Sequence, residues 1–320
     1  MTYLLFIIGF VILIKGADLM VSGASSIAKK FNISDLIIGL TIVAFGTSAP
    51  ELVVNVISGV EGSSGLAVGN VIGSNISNIF LILGISAMIY PLKVHKNTVW
   101  KEIPFALLGV FVLGVIANDI FFDGADFNVI SRSEGIGLLL FFAIFVYYTF
   151  SVIKSTSNKS VETEEINPMP LYKSILYVGI GLAGLAFGGN WIVNGAVEIA
   201  SNLGMDETLI GLTILAVGTS LPELATSAVA AWKKQTDIAV GNIIGSNIFN
   251  IFWILGVSAM INPLAFDAKS NVDILANTIA TTLIFIFCFV GRRHTLQRWQ
   301  GGMFVAMYVA YIAGIVVLRG

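Results

Sequence analysis

The sequence predicts an all-α membrane protein of ten transmembrane helices, arranged as two inverted five-helix repeats with helices broken at a central site. Three observations carry that expectation. Hydrophobic residues fill 56% of the 320 positions and charged ones only 11%, against about a quarter in soluble domains, and the mean hydropathy is +0.91. Ten apolar runs approach the length of about 20 helical residues needed to cross a hydrocarbon layer. One long block of sequence recurs in the second half of the chain. The 17 Lys and Arg nearly balance the 19 Asp and Glu, so no excess of charge points to nucleic acid. A single cysteine, Cys288, excludes a disulfide framework, and His95 and His294 lie among loop charges, so zinc chemistry is not expected.

In chain order the runs cover 2–25, 36–59, 66–90, 102–118, 134–153, 173–197, 208–231, 238–262, 272–291 and 300–318. The first has no basic amino end and exceeds the apolar length of a secretory signal, so it is expected to stay as a span. Within it Lys15 and Asp18 stand three residues apart on one helical face and are expected to pair. Lys29, Lys30, Lys93, Lys96, Lys101, Lys154, Lys159, Lys173, Lys233, Lys234, Arg292, Arg293 and Arg298 fall on one side of the alternating loops, while Arg132, Lys269 and Arg319 fall on the other. Short cytoplasmic loops retain positive charge, which places both termini outside, in a prokaryotic cell membrane. Residues 155–170, with four acidic or basic side chains and two prolines, read as a cytoplasmic linker too short to fold alone. The expected organisation is therefore a first repeat over 1–154, a linker over 155–172 and a second repeat over 173–320.

The repeat is the most informative feature. IGLTIVAFGTSAPEL (38–52) returns as IGLTILAVGTSLPEL (210–224), and AVGNVIGSNISNIFLILGISAMI (67–89) returns as AVGNIIGSNIFNIFWILGVSAMI (239–261), at a constant offset of 172. Five spans per half is an odd number, so equivalent helices must cross in opposite directions. Lys29 and Lys30 precede the first copy, whereas Asp206 and Glu207 precede the second. Inverted repeats with interrupted helices mark transporters, whose site lies at the repeat interface. Packing through small residues would also retain Gly39, Gly69, Gly73 and Gly84, with no ligand involved. It would not retain buried carboxylates.

Glu51 and Glu223 sit at equivalent depths in their spans, where an ionised carboxylate costs several kcal/mol unless paired or coordinated. Helical spacing projects Thr47, Ser48 and Glu51 to one side, and Thr219, Ser220 and Glu223 repeat the arrangement. Asn55 and Ser58 extend the first stripe, and Thr226 and Ser227 the second. In the following spans Ser74 and Asn78 stand one turn apart, as do Ser246 and Asn250. Pro50 and Pro222 lack an N–H, which frees the carbonyls of Gly46 and Gly218 and kinks or breaks each helix. Ser and Thr hydroxyls could heal such a kink unaided. Two matched kinks, each bearing a glutamate, instead favour a site. Oxygen ligands without sulfur or imidazole select hard cations, calcium and sodium ahead of magnesium.

GTSAPE with GNVIGSNISN, and GTSLPE with GNIIGSNIFN, resemble the paired repeats of the cation/calcium exchanger superfamily, most closely its prokaryotic sodium/calcium antiporters. The resemblance spans all ten helices. It implies an antiporter that exchanges Ca²⁺ for Na⁺, with a metal site lined by Glu51, Thr47, Ser48, Ser74, Asn78, Glu223, Thr219, Ser220, Ser246 and Asn250, joined by the Ala44 and Ala216 carbonyls. It also implies alternating access, the first and sixth helices sliding against the other eight. Some relatives, the potassium-dependent ones among them, carry aspartate where this chain has Asn250, which argues against potassium coupling. Thr and Ser in both GTSxPE copies favour sodium over protons.

A proton-coupled exchanger of calcium or another divalent cation is the nearest alternative, and a cation channel the alternative of another class. A channel usually needs symmetric subunits around its filter, whereas here the pseudo-symmetry lies within one chain. An enzyme is not expected, because there is no HExxH and no loop histidine near either glutamate in sequence. The expected partners are Ca²⁺, Na⁺ and the bilayer, with no prosthetic group, no nucleic acid and no obligate protein partner.

Overall fold

In lipid a backbone must satisfy its own N–H and C=O groups, so the apolar runs fold as helices. The structure, a computed structural model, describes residues 2–156, 169–202 and 216–319. Among these residues, eight helices are long and apolar enough to cross a membrane, and one bent pair makes a ninth candidate span. They are α1 (Thr2–Lys30), the pair α2 (Asp35–Thr47) and α3 (Ala49–Val60), α4 (Ser64–Ile89), α5 (Thr98–Ile116), α6 (Arg132–Ile153), α7 (Leu171–Asn202), α9 (Thr236–Ile261), α10 (Ala268–Phe287) and α11 (Arg298–Val317). Helix α8 (Leu221–Trp232) precedes α9. The run expected at 208–231 begins outside the described residues, which resume at Ala216. Most of the expected 155–170 linker lies outside them too, although the helix of α6 continues to Thr156.

Helices α1 and α7 run in backbone contact. A Cβ at Gly16 would come within 2.9 Å of the Gly181 carbonyl oxygen, and one at Gly181 within 2.8 Å of that of Gly16. Small residues of this kind draw transmembrane helices together by dispersion, where lipid removes the usual hydrophobic drive. Opposite faces of α1 and α7 carry exposed Leu4, Ile7, Val11, Ile175 and Leu176, as lipid-facing helices do. Helices α4 and α9 are instead buried almost all round and form the centre.

The expected Lys15–Asp18 pair is corrected. Asp18 pairs with Lys233, Nζ to Oδ1 at 2.6 Å, and Lys233 also donates to Ser22 at 2.8 Å. Lys15 stays exposed. Three residues advance a helix by about 300°, so Lys15 and Asp18 are neighbours, but the end of α8 brings a second cation to the carboxylate, held there also by Ser22 and the Asp18 carbonyl.

Two further departures from a purely helical reading lie at the helix ends. β1 (Leu92–Lys93) pairs antiparallel with β4 (Thr295–Leu296), and β2 (Val129–Ile130) with β3 (Leu264–Ala265). These two-residue ladders satisfy loop backbone that leaves the helices. Arg298 donates to the Ile89 carbonyl at the end of α4 at 3.3 Å, supplying positive charge where the helix dipole is negative.

Candidate cation-binding site

The break in the first bent helix falls on one residue. Ser48 adopts φ −83° and ψ 6°, after which α3 restarts at a 45° angle to α2. Pro50 then occupies the first turn of the new helix, where its missing N–H costs nothing and its fixed φ suits the start. Ser220, at φ −87° and ψ 7°, precedes α8 in the same way, with Pro222 in the first turn. The prolines therefore do what the sequence implied, at a helix start rather than mid-helix. Glu51 and Glu223 both lie in those first turns. Free N–H groups and the positive end of the helix dipole favour a negative side chain there.

The two breaks meet. Ser48 Oγ donates to Glu223 Oε1 at 3.0 Å, and Ser220 Oγ lies 3.4 Å from Glu51 Oε1 and 3.3 Å from Ser74 Oγ. Each half-helix thus braces the other's glutamate. Thr47 Oγ1 lies 3.3 Å from the Ala44 carbonyl oxygen, which also accepts the Ser48 N–H at 3.0 Å. In the second copy the Ser220 N–H goes to Val217 O, not Ala216, at 3.1 Å. Glu51, Glu223, Ser48, Ser220, Ser74, Ser246, Asn78, Asn250 and Thr47 are all buried, and Thr219 is half-buried.

Among the described residues, several buried oxygens here have no hydrogen-bond partner: Glu51 Oε2, Glu223 Oε2, Ser246 Oγ, Asn78 Oδ1, Asn250 Oδ1 and Thr226 Oγ1. All can act as electron-pair donors. Among the described residues neither glutamate forms an ion pair. Buried carboxylate oxygens left unmatched are costly, and a hard cation would match them. Asn55 and Ser58, expected to extend the first stripe, are both buried; Asn55 Nδ2 donates to Glu51 O at 2.9 Å, and its Oδ1 has no partner among the described residues.

Four asparagines that the sequence reading passed over orient this set. Thr47 donates to Asn242 Oδ1 at 3.0 Å, and Thr219 to Asn70 Oδ1 at 3.3 Å. Asn75 and Asn247 hold the amides of Asn250 and Asn78. The signal was present: all four are polar residues duplicated at the 172-residue offset inside otherwise apolar helices. Both copies also carry π-helical turns immediately afterwards, Ser77–Leu83 and Phe249–Leu255, a distortion concentrated at functional sites.

A Cβ at Gly241 would meet the Leu36 carbonyl oxygen at 2.6 Å, and one at Gly245 would meet Ala44 Cβ at 2.7 Å, so α2 packs directly on this face of α9. Their counterparts Gly69 and Gly73 would meet nothing within 4 Å among the described residues. Packing therefore accounts for Gly39 and Gly84, as the small-residue reading proposed; most of the segment equivalent to α2, which would face Gly69 and Gly73, lies outside the described residues. Gly69, Asn70, Gly73, Thr219 and Pro222 line a cavity of about 1710 Å³.

Such an arrangement defines a class: an all-helical membrane protein whose interrupted helices bring carboxylates together at its centre. The family model described as "Sodium/calcium exchanger protein" matches residues 1–151 and 173–317. The chain is 40% identical over 314 residues to the "Putative antiporter CaxA" of Alkalimonas amylolytica, covering 95% of each. It is 32% identical over 340 residues to the "Sodium/calcium exchanger MaX1" of Methanosarcina acetivorans, covering 97% of each. A solved structure of the sodium-calcium exchanger NCX_Mj, soaked with Na⁺ and Ca²⁺, superposes with a TM-score of 0.81 at 34% identity, covering 98% of this chain and 97% of that one. The chain belongs to the sodium/calcium exchanger family.

Proposed function

We propose that this chain is an electrogenic antiporter exchanging Ca²⁺ for Na⁺ by alternating access, through a site that contains Glu51 and Glu223. The observation that carries the reading is the reciprocal bracing of the two glutamates by Ser220 and Ser48, which leaves one oxygen of each carboxylate free in a buried setting. Two carboxylates balance one Ca²⁺, and Thr47, Thr219, Ser74, Ser246, Asn78, Asn250 and the carbonyls of Ala44 and Ala216 complete a set of oxygen ligands suited to calcium or sodium. Sodium ions competing for these ligands empty the site of calcium before the carrier returns. An unfilled site holds two uncompensated carboxylates and stays trapped, so the protein exchanges rather than leaks.

In this reading residues 1–154 and 173–320 are inverted five-helix repeats joined by a cytoplasmic 155–172 linker, with both termini outside. Alternating access needs helices that move against a fixed core, and α1 and α7 lie outside the buried centre formed by α4 and α9. The glycine-lined contact of α1 and α7 is what a pair moving together would need. The test is calcium uptake into vesicles reconstituted with the purified chain. An outward sodium gradient should drive uptake at fixed pH, and the rate should respond to membrane potential, because two charges are replaced by three or more. Uptake driven equally well by a pH gradient without sodium would replace this reading with proton coupling. Uptake that needs no counter-ion would indicate a channel.

A further inference from the structure

At the centre of the molecule four asparagine side chains form two hydrogen-bonded relays, each anchored on a main-chain carbonyl. Asn75 Nδ2 donates to the main-chain oxygen of Asn247 at 3.2 Å, and Asn247 Nδ2 donates to that of Asn75 at 3.3 Å. Asn250 Nδ2 donates to Asn75 Oδ1 at 3.0 Å, and Asn78 Nδ2 to Asn247 Oδ1 at 2.9 Å. All four residues are at most 1% exposed.

The direction of every bond follows from one fact: a main-chain carbonyl can only accept. Asn75 must therefore turn its NH₂ to Asn247 O, since the reverse rotamer would set two acceptors face to face. Its Oδ1 then points the other way and can only accept, so Asn250 must offer it an NH₂. What remains of Asn250 is Oδ1, buried and without a partner among the described residues. The same chain of constraints runs from the Asn75 carbonyl through Asn247 to Asn78, whose Oδ1 is likewise left free. An unconstrained asparagine offers a cation either its oxygen or its NH₂ with little to choose between them, and the second repels it. Asn78 follows Ser74 by one helical turn, and Ser74 reaches Glu51 through Ser220.

We propose that Asn75 and Asn247 are positioning residues that fix Asn250 and Asn78 with oxygen towards the cation, each acting on the ligand of the opposite repeat. The relay starts from backbone, so no change of protonation can reverse it, and it keeps both amide ligands as oxygen donors whichever ion occupies the site. It rests on the calcium reading given above.

The test uses the purified full-length chain, with Ca²⁺ binding read by isothermal titration and folding by thermal unfolding. The unmodified chain should bind Ca²⁺ and Glu51→Gln should not; if the unmodified chain binds none, the calcium reading falls and the relay with it. With those two results in hand the relay is tested alone. Asn247→Leu keeps the branching at Cγ, removes the acceptor facing Asn78 and should weaken Ca²⁺ binding about tenfold. In an Asn78→Leu background the same substitution should add less than twofold, because no oxygen is left to orient. Asn75→Leu against Asn250→Leu gives an independent second arm should either first-arm variant fail to fold. Unchanged binding in a folded Asn247→Leu protein, or an equal further loss in both backgrounds, as a general packing defect would give, overturns the proposal. So does an Asn78→Leu protein that binds Ca²⁺ as tightly as the unmodified chain.

Discussion

Ser48 donates a hydrogen bond to Glu223 at 3.0 Å, although the two stand 175 positions apart on different broken helices. Its counterpart Ser220 stands 3.4 Å from Glu51. Neither carboxylate is braced by the serine of its own helix, so each half of the site is completed by the other half of the chain. The consequences can be measured.

Glu51→Gln and Glu223→Gln should each abolish calcium transport in reconstituted vesicles. Either substitution removes half of the charge that compensates for stripping water from Ca²⁺. Folding should survive, since a neutral amide relieves a buried charge, and purification yield with unchanged thermal unfolding would establish that. Near-normal exchange by either variant would remove that glutamate from the site.

Gly241→Ala should destabilise the protein. The new Cβ would lie 2.6 Å from the Leu36 carbonyl oxygen, a backbone atom that cannot rotate away. The resulting overpacking should cost about 1–3 kcal/mol. Thermal unfolding in detergent reads the loss, and an unchanged unfolding temperature would contradict the close packing of α2 on α9.

His95 Nε2 lies 2.8 Å from Asp237 Oδ2, and that hydrogen bond, opposed by partial burial, raises the imidazole above its ordinary value of 6.5. A group whose folded value is raised stabilises fully below its unfolded value and loses that contribution as pH rises through the folded one. Stability should therefore decline on going upward from about pH 6.5, the unfolded histidine value. Asp237→Asn should flatten the decline, and a profile of unfolding temperature against pH reads it. An unchanged slope would assign the pH dependence to other groups.

Sidedness can be tested with Cys288 replaced and a single cysteine introduced by Asn158→Cys. An impermeant thiol reagent applied to intact cells should leave it unlabelled, as a cytoplasmic linker requires. Ready labelling would reverse the orientation.

The expected span of 36–59 ends within a residue of the bent pair Asp35–Val60, and most other spans agree to within a few residues. Hydropathy reads such boundaries well because lipid leaves a backbone few choices. Pro50 and Pro222 likewise announced the breaks, since a missing N–H is a local property of the chain. Asp18 was misjudged because Lys15 is near in sequence, whereas Lys233 is near only once α8 packs on α1. Asn75 and Asn247 were passed over for a related reason. Their partners lie across the molecule, and no spacing rule reports a bond between residues 172 positions apart.

By itself the sequence determined what is periodic or chemical within one helix: the membrane class, the duplicated block, the glutamates and the oxygen-bearing side chains one turn from them. Apart from the duplication, which comparing the chain with itself reveals, those properties depend on neighbours at most four residues away, and the helix geometry that links them is fixed. Tertiary structure alone decided which serine braces which glutamate, which way the asparagine amides face and which lysine reaches Asp18. Ser48 and Glu223 show why. They stand 175 positions apart, and only the packing of one broken helix against the other brings the hydroxyl within 3.0 Å of the carboxylate.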